Sequence, residues 1–389
     1  MGAALAKSTG PVASSPAYPD APRRQSGFPM RVRPLTLVLF LVLVLVTGYA
    51  VWWHRMATRL LTLLEHDTDL ARSAGATITY QPPTLGGFPL GIAITATQVK
   101  VDKPDGLSWS ADTVRASAPI WRLHDVVLTL PKGGHATLPR EGARPALDAT
   151  AAIAGGRVAL DPATGAPRSV RVDLAHATLT AAAVPAPEGT PEGAAPPASL
   201  LPAGSYPIET FSLTVERPAT PPADHTGTGL ALHLDVAGMT VPPVRSLGPT
   251  LQRLILTARV QGPLPAAPTA EAVGPWSKDG GTVEVDSLKL DWGDLHMSAN
   301  ATLALDGALQ PQGSGSAELT GLDSLVDALK DGGTLHANQA ALVRAGLALL
   351  SKPSANGGAP SLKLPISMQD HKLQVGPLVV GHYPDIVWR

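Results

Sequence analysis

Beyond Ala76 the chain alternates apolar and polar side chains with a period of two. Val126, Leu128 and Leu130 alternate with Val127 and Thr129, and Val170, Val172 and Leu174 with Arg171 and Asp173. Phe211, Leu213 and Val215 alternate with Ser212, Thr214 and Glu216, and Leu230, Leu232, Leu234 and Val236 with Ala231, His233 and Asp235. The pattern returns at Leu254–Val260, Leu295–Leu305 and Leu362–Met368. Such alternation predicts strands of an antiparallel sheet with one apolar face and one wet face. Two strands change parity partway: Ile92, Ile94 and Ala96 give way to Val99 and Val101, and Val283 and Val285 to Leu288, Leu290 and Trp292. A β-bulge produces such a switch, so the sheet is expected to curve.

Turn chemistry joins the strands. DPATGAP (161–167) separates Leu160 from Val170, LDGALQPQG (305–313) separates two strands, and Asp370-His371 links Met368 to Leu373. Pro/Ala/Gly-rich segments at 184–204, 216–228 and 261–281 are expected as mobile loops, and the first is a possible sub-boundary. Residues 321–350 predict two short helices broken at Gly332-Gly333. About twelve strands at ~4.8 Å spacing span roughly 55–60 Å. Three short helices of at most ~20–30 Å leave much of that face uncovered. An open aliphatic face of that size marks a lipid, membrane or partner site. A sheet folded on itself as a sandwich would hide the same side chains, and alternation does not distinguish the two.

Upstream the period is helical. Residues 1–34 carry Pro, Ser, Ala and Arg without period and predict a disordered tail. Leu35–Trp53 contains no charged side chain and, as a helix, spans roughly 28 Å, close to the ~30 Å hydrocarbon thickness. A transmembrane anchor is expected at 35–54. Arg23, Arg24, Arg31 and Arg33 precede the run, against Arg55 and Arg59 after it, which places the N-terminus in the cytoplasm. Arg31 and Arg33 mark one membrane interface, and Tyr49, Trp52 and Trp53 the other. The competing reading is a cleaved signal peptide, with Leu35–Val46 as its apolar core and Gly48-Tyr49-Ala50 as the cleavage site. Either way the rest of the chain crosses the membrane. Leu60, Leu61, Leu63, Leu64 and Leu70 predict a stalk helix over 55–75, stopped by Gly75, and a β-rich periplasmic domain follows over 76–389.

Composition changes the picture in three ways. With 16% charged residues and a net charge of -1 there is no basic face for nucleic acid. The absence of cysteine removes disulfides and thiolate chemistry. Aromatics at 4% mean that the apolar face is smooth and aliphatic. No catalytic constellation emerges. The eleven histidines form no HxH, HxxxH or HExxH pattern, and neither GxxxxGK[ST] nor GxSxG is present. GSGSAE (313–318) falls in a predicted hairpin, Asp291 and Asp294 flank Gly293 in a predicted turn, and His233 and His296 belong to wet faces. No catalytic residue, metal or cofactor is assigned, and an envelope hydrolase is the least favoured reading.

One short stretch, TLGGFPLGIAI (84–94), puts an aromatic at a Gly-Gly/Pro bend. The glycines admit a turn, Pro89 keeps Phe88 out of a helix, and Phe88 is expected to plug the end of the sheet next to the anchor helix. The order of a Trp-containing helix end, GGFPLGIAI, LSWSADTVRASAPIW and LHDVVLTLP resembles the domain of unknown function 2125 family of Gram-negative envelope proteins. LDWGDLHMSANATLALDGALQPQGSGSAELTGLDSLVDAL and LPISMQDHKLQVGPLVV look like the same family and, more loosely, like AsmA-type envelope proteins. The resemblance covers roughly residues 55–389. For the first family it implies architecture alone. For the second it implies phospholipid movement along an open β-groove, although a stack of ~12–18 strands reaches only ~60–85 Å and leaves a holding or accessory role.

The sequence thus predicts a mainly β protein: a large curved antiparallel sheet, an AsmA-like groove or open sandwich, with one N-terminal transmembrane helix and a few short helices. Its expected place is the inner membrane, with the bulk periplasmic. Phe88, Ile92, Ile94, Val126, Leu128, Leu130, Leu232, Leu234, Leu254, Leu256, Leu303 and Leu305 are the candidate lipid-binding residues, and membrane lipid and other envelope proteins the expected partners. The alternative is a structural or assembly factor of the envelope with a closed β core.

Overall fold

The computed structural model describes residues 34–73, 75–140, 145–183, 202–244, 246–265, 267, 269–331, 336, 340–342, 344–346, 361–376, 378–383 and 385–388. Arg31 and Arg33, and nearly all of the 184–204 segment, lie outside them. The chain divides into two compact units, Met1–Trp52 and Trp53–Arg389. Helix α1 (Pro34–Ser73) ends where Gly75, at φ 92°, donates its N–H to the Arg72 carbonyl at 2.9 Å. In the first unit Val42–Val46 are 48–64% exposed, and the rings of Tyr49 and Trp52 lie 5.8 Å apart. Among the described residues no helix is long and apolar enough to cross a membrane. The side chains of residues 34–41, which belong to the expected anchor, are not among those described.

Among the described residues the second unit is built on one antiparallel sheet of seventeen strands. It starts with β1 (Thr77–Thr79), β2 (Thr84–Gly86), β3 (Gly91–Asp102) and β4 (Ser108–Pro119). Next come β5 (Asp125–Leu130), β6 (Gly134–Leu138), β7 (Leu147–Leu160), β8 (Pro167–Ala181) and β9 (Gly204–Glu216). β10 (Thr228–Val244) and β11 (Gly248–Gln261) precede helix α2 (Ala270–Lys278). β12 (Val283–Trp292), β13 (Leu295–Leu305) and β14 (Pro311–Thr320) lead to α3 (Leu322–Asp331), and β15 (Leu362–Gln369), β16 (Lys372–Val375) and β17 (Leu378–His382) complete the order. From β7 onward each strand pairs with the next in sequence. β5 and β6 share one place in the ladder, end to end between β4 and β7, and β1 and β2 likewise share an edge of β3. Gly133 makes the β5–β6 turn possible, because at φ 67° a Cβ there would run into the Ala151 carbonyl.

The parity switches have two different causes. In β12 the pairing shifts by one residue between Val285 and Leu288, so Asp286-Ser287 forms the expected bulge. In β3 there is no bulge. Thr97↔Thr113 and Val99↔Ala111 hold one register, and Gln98 sits between them at φ 53°. The same device crosses the middle of the sheet. Register is continuous through Ala175↔Thr210 and Ala177↔Ile208, and through Ala237↔Thr210 and Met239↔Ile208. His176 (φ 50°), Glu209 and Gly238 (φ 62°) therefore lie at one level in β8, β9 and β10, and all three strands change parity together. A matched break keeps every neighbour paired, whereas an insertion in one strand would leave a residue unpaired.

The loops also divide. Residues 217–227 contain no helix or strand, as expected. Within 261–281, however, α2 replaces the expected mobile loop. Thr269 caps it by accepting the Ala272 N–H, and Val273 and Trp276 are buried. The Trp276 indole donates to the Gln261 carbonyl at 2.9 Å, which ties the helix to the end of β11. The hairpins follow their turn residues. Asp161 accepts from the Ala163 and Thr164 amides, Asp306 from those of Ala308 and Gln310, and Asp370 and His371 both take positive φ. The helix expected to follow α3 is only partly among the described residues.

Candidate functional site: an apolar sheet face

Register brings the predicted apolar residues together on one face. One row passes from strand to strand as Ile94, Ala116, Leu128, Gly156, Val172, Leu213, Leu234 and Leu256. It continues through Leu288, Ala299, Ala317 and Leu364. A second row holds Val126, Val158, Val170, Val215, Leu232 and Ala258, and a third Leu130, Ala154, Leu174, Phe211, Val236 and Leu254. Leu303 stands opposite Val283, and Leu305 lies two residues further along the same face of β13. Ile92 flanks Ile94 on β3 and is the one candidate that is fully buried, at 3% exposure. The other strand candidates are half-buried.

Two clefts open on this face. The first, of about 310 Å³, lies over β7, where Ala149, Ala151 and Ala154 supply only methyl groups, between Leu130 and Trp109 on one side and Leu174, Leu179 and Phe211 on the other. The second, of about 350 Å³, lies over β13 and β14, floored by Ala299, Ala301 and Gly313 and walled by Leu303, Ile366, Met368 and Leu373. Both volumes fall in the ~300–1,000 Å³ range of ligand pockets. Sequence reasoning named the large residues and passed over the small ones. The run of alanine and glycine through β7 is the available signal, since a small side chain between large ones leaves a hollow.

Next to the second cleft, with which it shares Ala299, the face is sealed. Leu247, Leu295, Ala299, Ala317 and Leu319 form a buried cluster, against which Leu322, Leu325 and Ala328 of α3 pack. Val326 of α3 is 1% exposed.

At the β3 end a smaller cluster holds Trp53, Ala57 and Ile92, with Met56, Leu85, Ile120 and Leu123 against it. The Trp53 indole donates to the Gly91 carbonyl at 2.7 Å. Trp53 is thus buried on the sheet, where its indole N–H finds a carbonyl partner. Phe88 meets Trp53 edge-on, with ring centroids 5.5 Å apart at 83°, and is 50% exposed. Gly87 takes φ 93° and accepts the Gly91 N–H at 2.9 Å, which is the bend the Gly-Gly pair was expected to make.

The opposite face is polar, and several of its charges are paired. Arg253 forks onto Asp235 at 2.8 and 3.1 Å and Arg259 onto Asp286 in the β12 bulge, while the Arg171 Nε–H is shared by both carboxylate oxygens of Asp173. These guanidinium hydrogen bonds hold the carboxyls of Asp235, Asp173 and Asp286 below their ordinary range. His233 and His296 are exposed on this face, bonded to Thr257 and Asp291. Asp291 and Asp294 flank the β12–β13 turn, and GSGSAE forms the body of β14. Among the described residues no group of three or more His, Cys, Asp or Glu is placed to hold a metal ion.

A bacterial protein family, described as an uncharacterized protein conserved in bacteria (DUF2125), matches residues 53–384. The chain belongs to the DUF2125 family. The match begins at Trp53, the residue that docks the helix onto the DUF2125 sheet, and spans every strand. No curated protein matches the chain at a significant level.

Proposed function

We propose that this DUF2125 protein is held in the inner membrane by the apolar run at 35–54 and carries phospholipid acyl chains on its apolar sheet face in the periplasm. It is a non-enzymatic holder or carrier in envelope maintenance, with an AsmA-like groove. One observation carries this reading: continuous aliphatic rows cross a dozen paired positions, yet outside the α3 cluster most of their side chains, Val236 and Ala258 excepted, stay half-buried, and two apolar clefts open on the face. Each methylene moved from water onto such a face contributes about 0.8 kcal/mol before ordering costs. The arginines before the apolar run support the orientation.

Two measurements test it. Full-length protein purified in mild detergent should retain phospholipid detectable by mass spectrometry, and Leu128→Glu should lose that lipid while remaining folded. An envelope scaffold with a closed β core predicts the opposite, a Leu128→Glu chain that does not fold. Because the chain has no cysteine, single replacements report topology without background. Ser212→Cys should react with an impermeant maleimide in spheroplasts and Ser14→Cys only after lysis. Reaction of Ser14→Cys in intact spheroplasts would overturn the orientation.

A further inference from the structure

A cleft of a different character opens at one end of strands β5, β7, β8 and β9. Arg122 in the β4–β5 connection, Arg168 at the start of β8 and Arg217 just after β9 line a single hollow of about 490 Å³ together with Trp121. Backbone hydrogen bonds hold the three segments side by side: the Leu160 N–H donates to the His124 carbonyl at 2.8 Å, and the Arg217 N–H to the Arg168 carbonyl at 2.7 Å. On the polar face Arg171, Arg253 and Arg259 are spent on aspartates, whereas Arg115 and Arg157 stand apart from one another without an acidic partner among the described residues. Among the described residues, the guanidinium groups of Arg122, Arg168 and Arg217 form no hydrogen bond or ion pair, even though Asp125 and Glu216 line the same cleft.

Three guanidinium groups in one concavity suit a phosphate, which accepts paired N–H donors, although the Thr164 and Ala163 amides and, more weakly, the Arg168 charge lower the Asp161 carboxyl. Their position says which phosphate. Arg168 and Arg217 continue the alternation of Val170–Leu174 and Phe211–Val215, whereas Asp125, Ser169 and Glu216, which also line the cleft, belong to the opposite face. From Arg168 the apolar face runs six residues, about 20 Å, to Leu174 in the alanine-floored cleft. That length takes in half of a ~30 Å bilayer core, the reach of one lipid tail. Beside the cleft, Trp121 is 65% exposed, and its neighbours Ile120 and Leu123 pack on the Trp53 cluster. An exposed indole next to arginines suits the boundary between head groups and tails.

We propose that Arg122, Arg168 and Arg217 bind the phosphate of a glycerophospholipid whose acyl chains lie along the Val126–Leu130 and Val170–Leu174 stripe. The proposal rests on the acyl-binding reading above, and its test separates the two. Full-length protein in detergent is titrated with phosphatidylglycerol and, separately, with diacylglycerol carrying the same tails but no phosphate, and bound lipid is counted by native mass spectrometry. In the triple variant R122Q/R168Q/R217Q, phosphatidylglycerol affinity should fall at least tenfold and lose its salt dependence, while diacylglycerol binding stays at the wild-type level. That second arm also reports an intact fold, since all three arginines are exposed. Unchanged phosphatidylglycerol binding in the variant would overturn the phosphate site and leave the groove standing. If wild type binds neither lipid, both readings fall. If glycerol phosphate competes at the concentration at which phosphatidylglycerol binds, the ligand is a soluble phosphate ester and the lipid assignment is overturned.

Discussion

The covered and bare parts of one apolar face show how little the strands themselves decide. At β12–β15 the rows reach Leu295, Ala299, Ala317 and Leu319, α3 lies over them, and the cluster is buried. At β5–β9 the same rows present Leu128, Val172 and Leu213 with equal regularity, and these side chains remain half-exposed around a hollow. The alternation is the same in both places. What differs is whether an amphipathic helix follows in sequence at a distance that lets it fold back, as α3 does directly after β14. Burial is then a property of the neighbourhood rather than of the strand.

The comparison can be broken most severely in the covered half. Leu319→Glu puts an unpaired carboxylate into a residue position only 4% exposed, and should cost more than about 3 kcal/mol, seen as loss of the thermal transition and rapid proteolysis. Leu128→Glu, on the same face in the bare half, should cost about 1 kcal/mol by urea titration while removing retained lipid. If the two substitutions destabilise equally, the bare half is sealed in solution and the contrast is wrong.

A smaller effect is expected where the helix meets the sheet. Phe88→Ala removes an edge-on contact with Trp53 and should cost about 1 kcal/mol, with faster cleavage near the β2–β3 bend. Unchanged stability, protease resistance and lipid retention would dismiss the plug. The smallest effect belongs to the polar face. Arg253→Gln should lower stability only slightly, by a small shift of the urea midpoint, since its pair with Asp235 is solvent-screened. The sign of its pH dependence follows from the lowered carboxyl of Asp235: the stabilisation is fully present above the ordinary value of 3.8 and is lost as pH falls through the lower folded value. Wild type and Arg253→Gln should therefore converge in strongly acidic solution, and a gap that instead widens there would contradict the pairing.

Much of the strand framework was legible because a period of two needs only local reading. The strands at Phe211–Val215, Leu230–Val236 and Leu254–Val260 appear where alternation placed them, and so do the turns at Asp161, Asp306 and Asp370. Helix α2 was not legible, because its Pro/Ala/Gly composition matches a loop and its stability comes from Trp276 reaching a carbonyl fifteen residues back. The bulge expected in β3 proved to be a matched break, a distinction that requires seeing the partner strand. The hollows over β7 and β13 escaped notice for the same reason: an alanine reads as weakly apolar until the larger residues on either side are known.

The chain's own pattern determined that this protein is a sheet with one aliphatic face, and which side chains belong to it, because each residue's face follows from its neighbours in sequence. Only the tertiary structure decided that the breaks in β8, β9 and β10 fall at one level, that α3 seals one stretch of the face, and that three arginines from segments distant in sequence share a cleft. Those outcomes depend on register and on contacts between residues distant in sequence, which a local period does not encode.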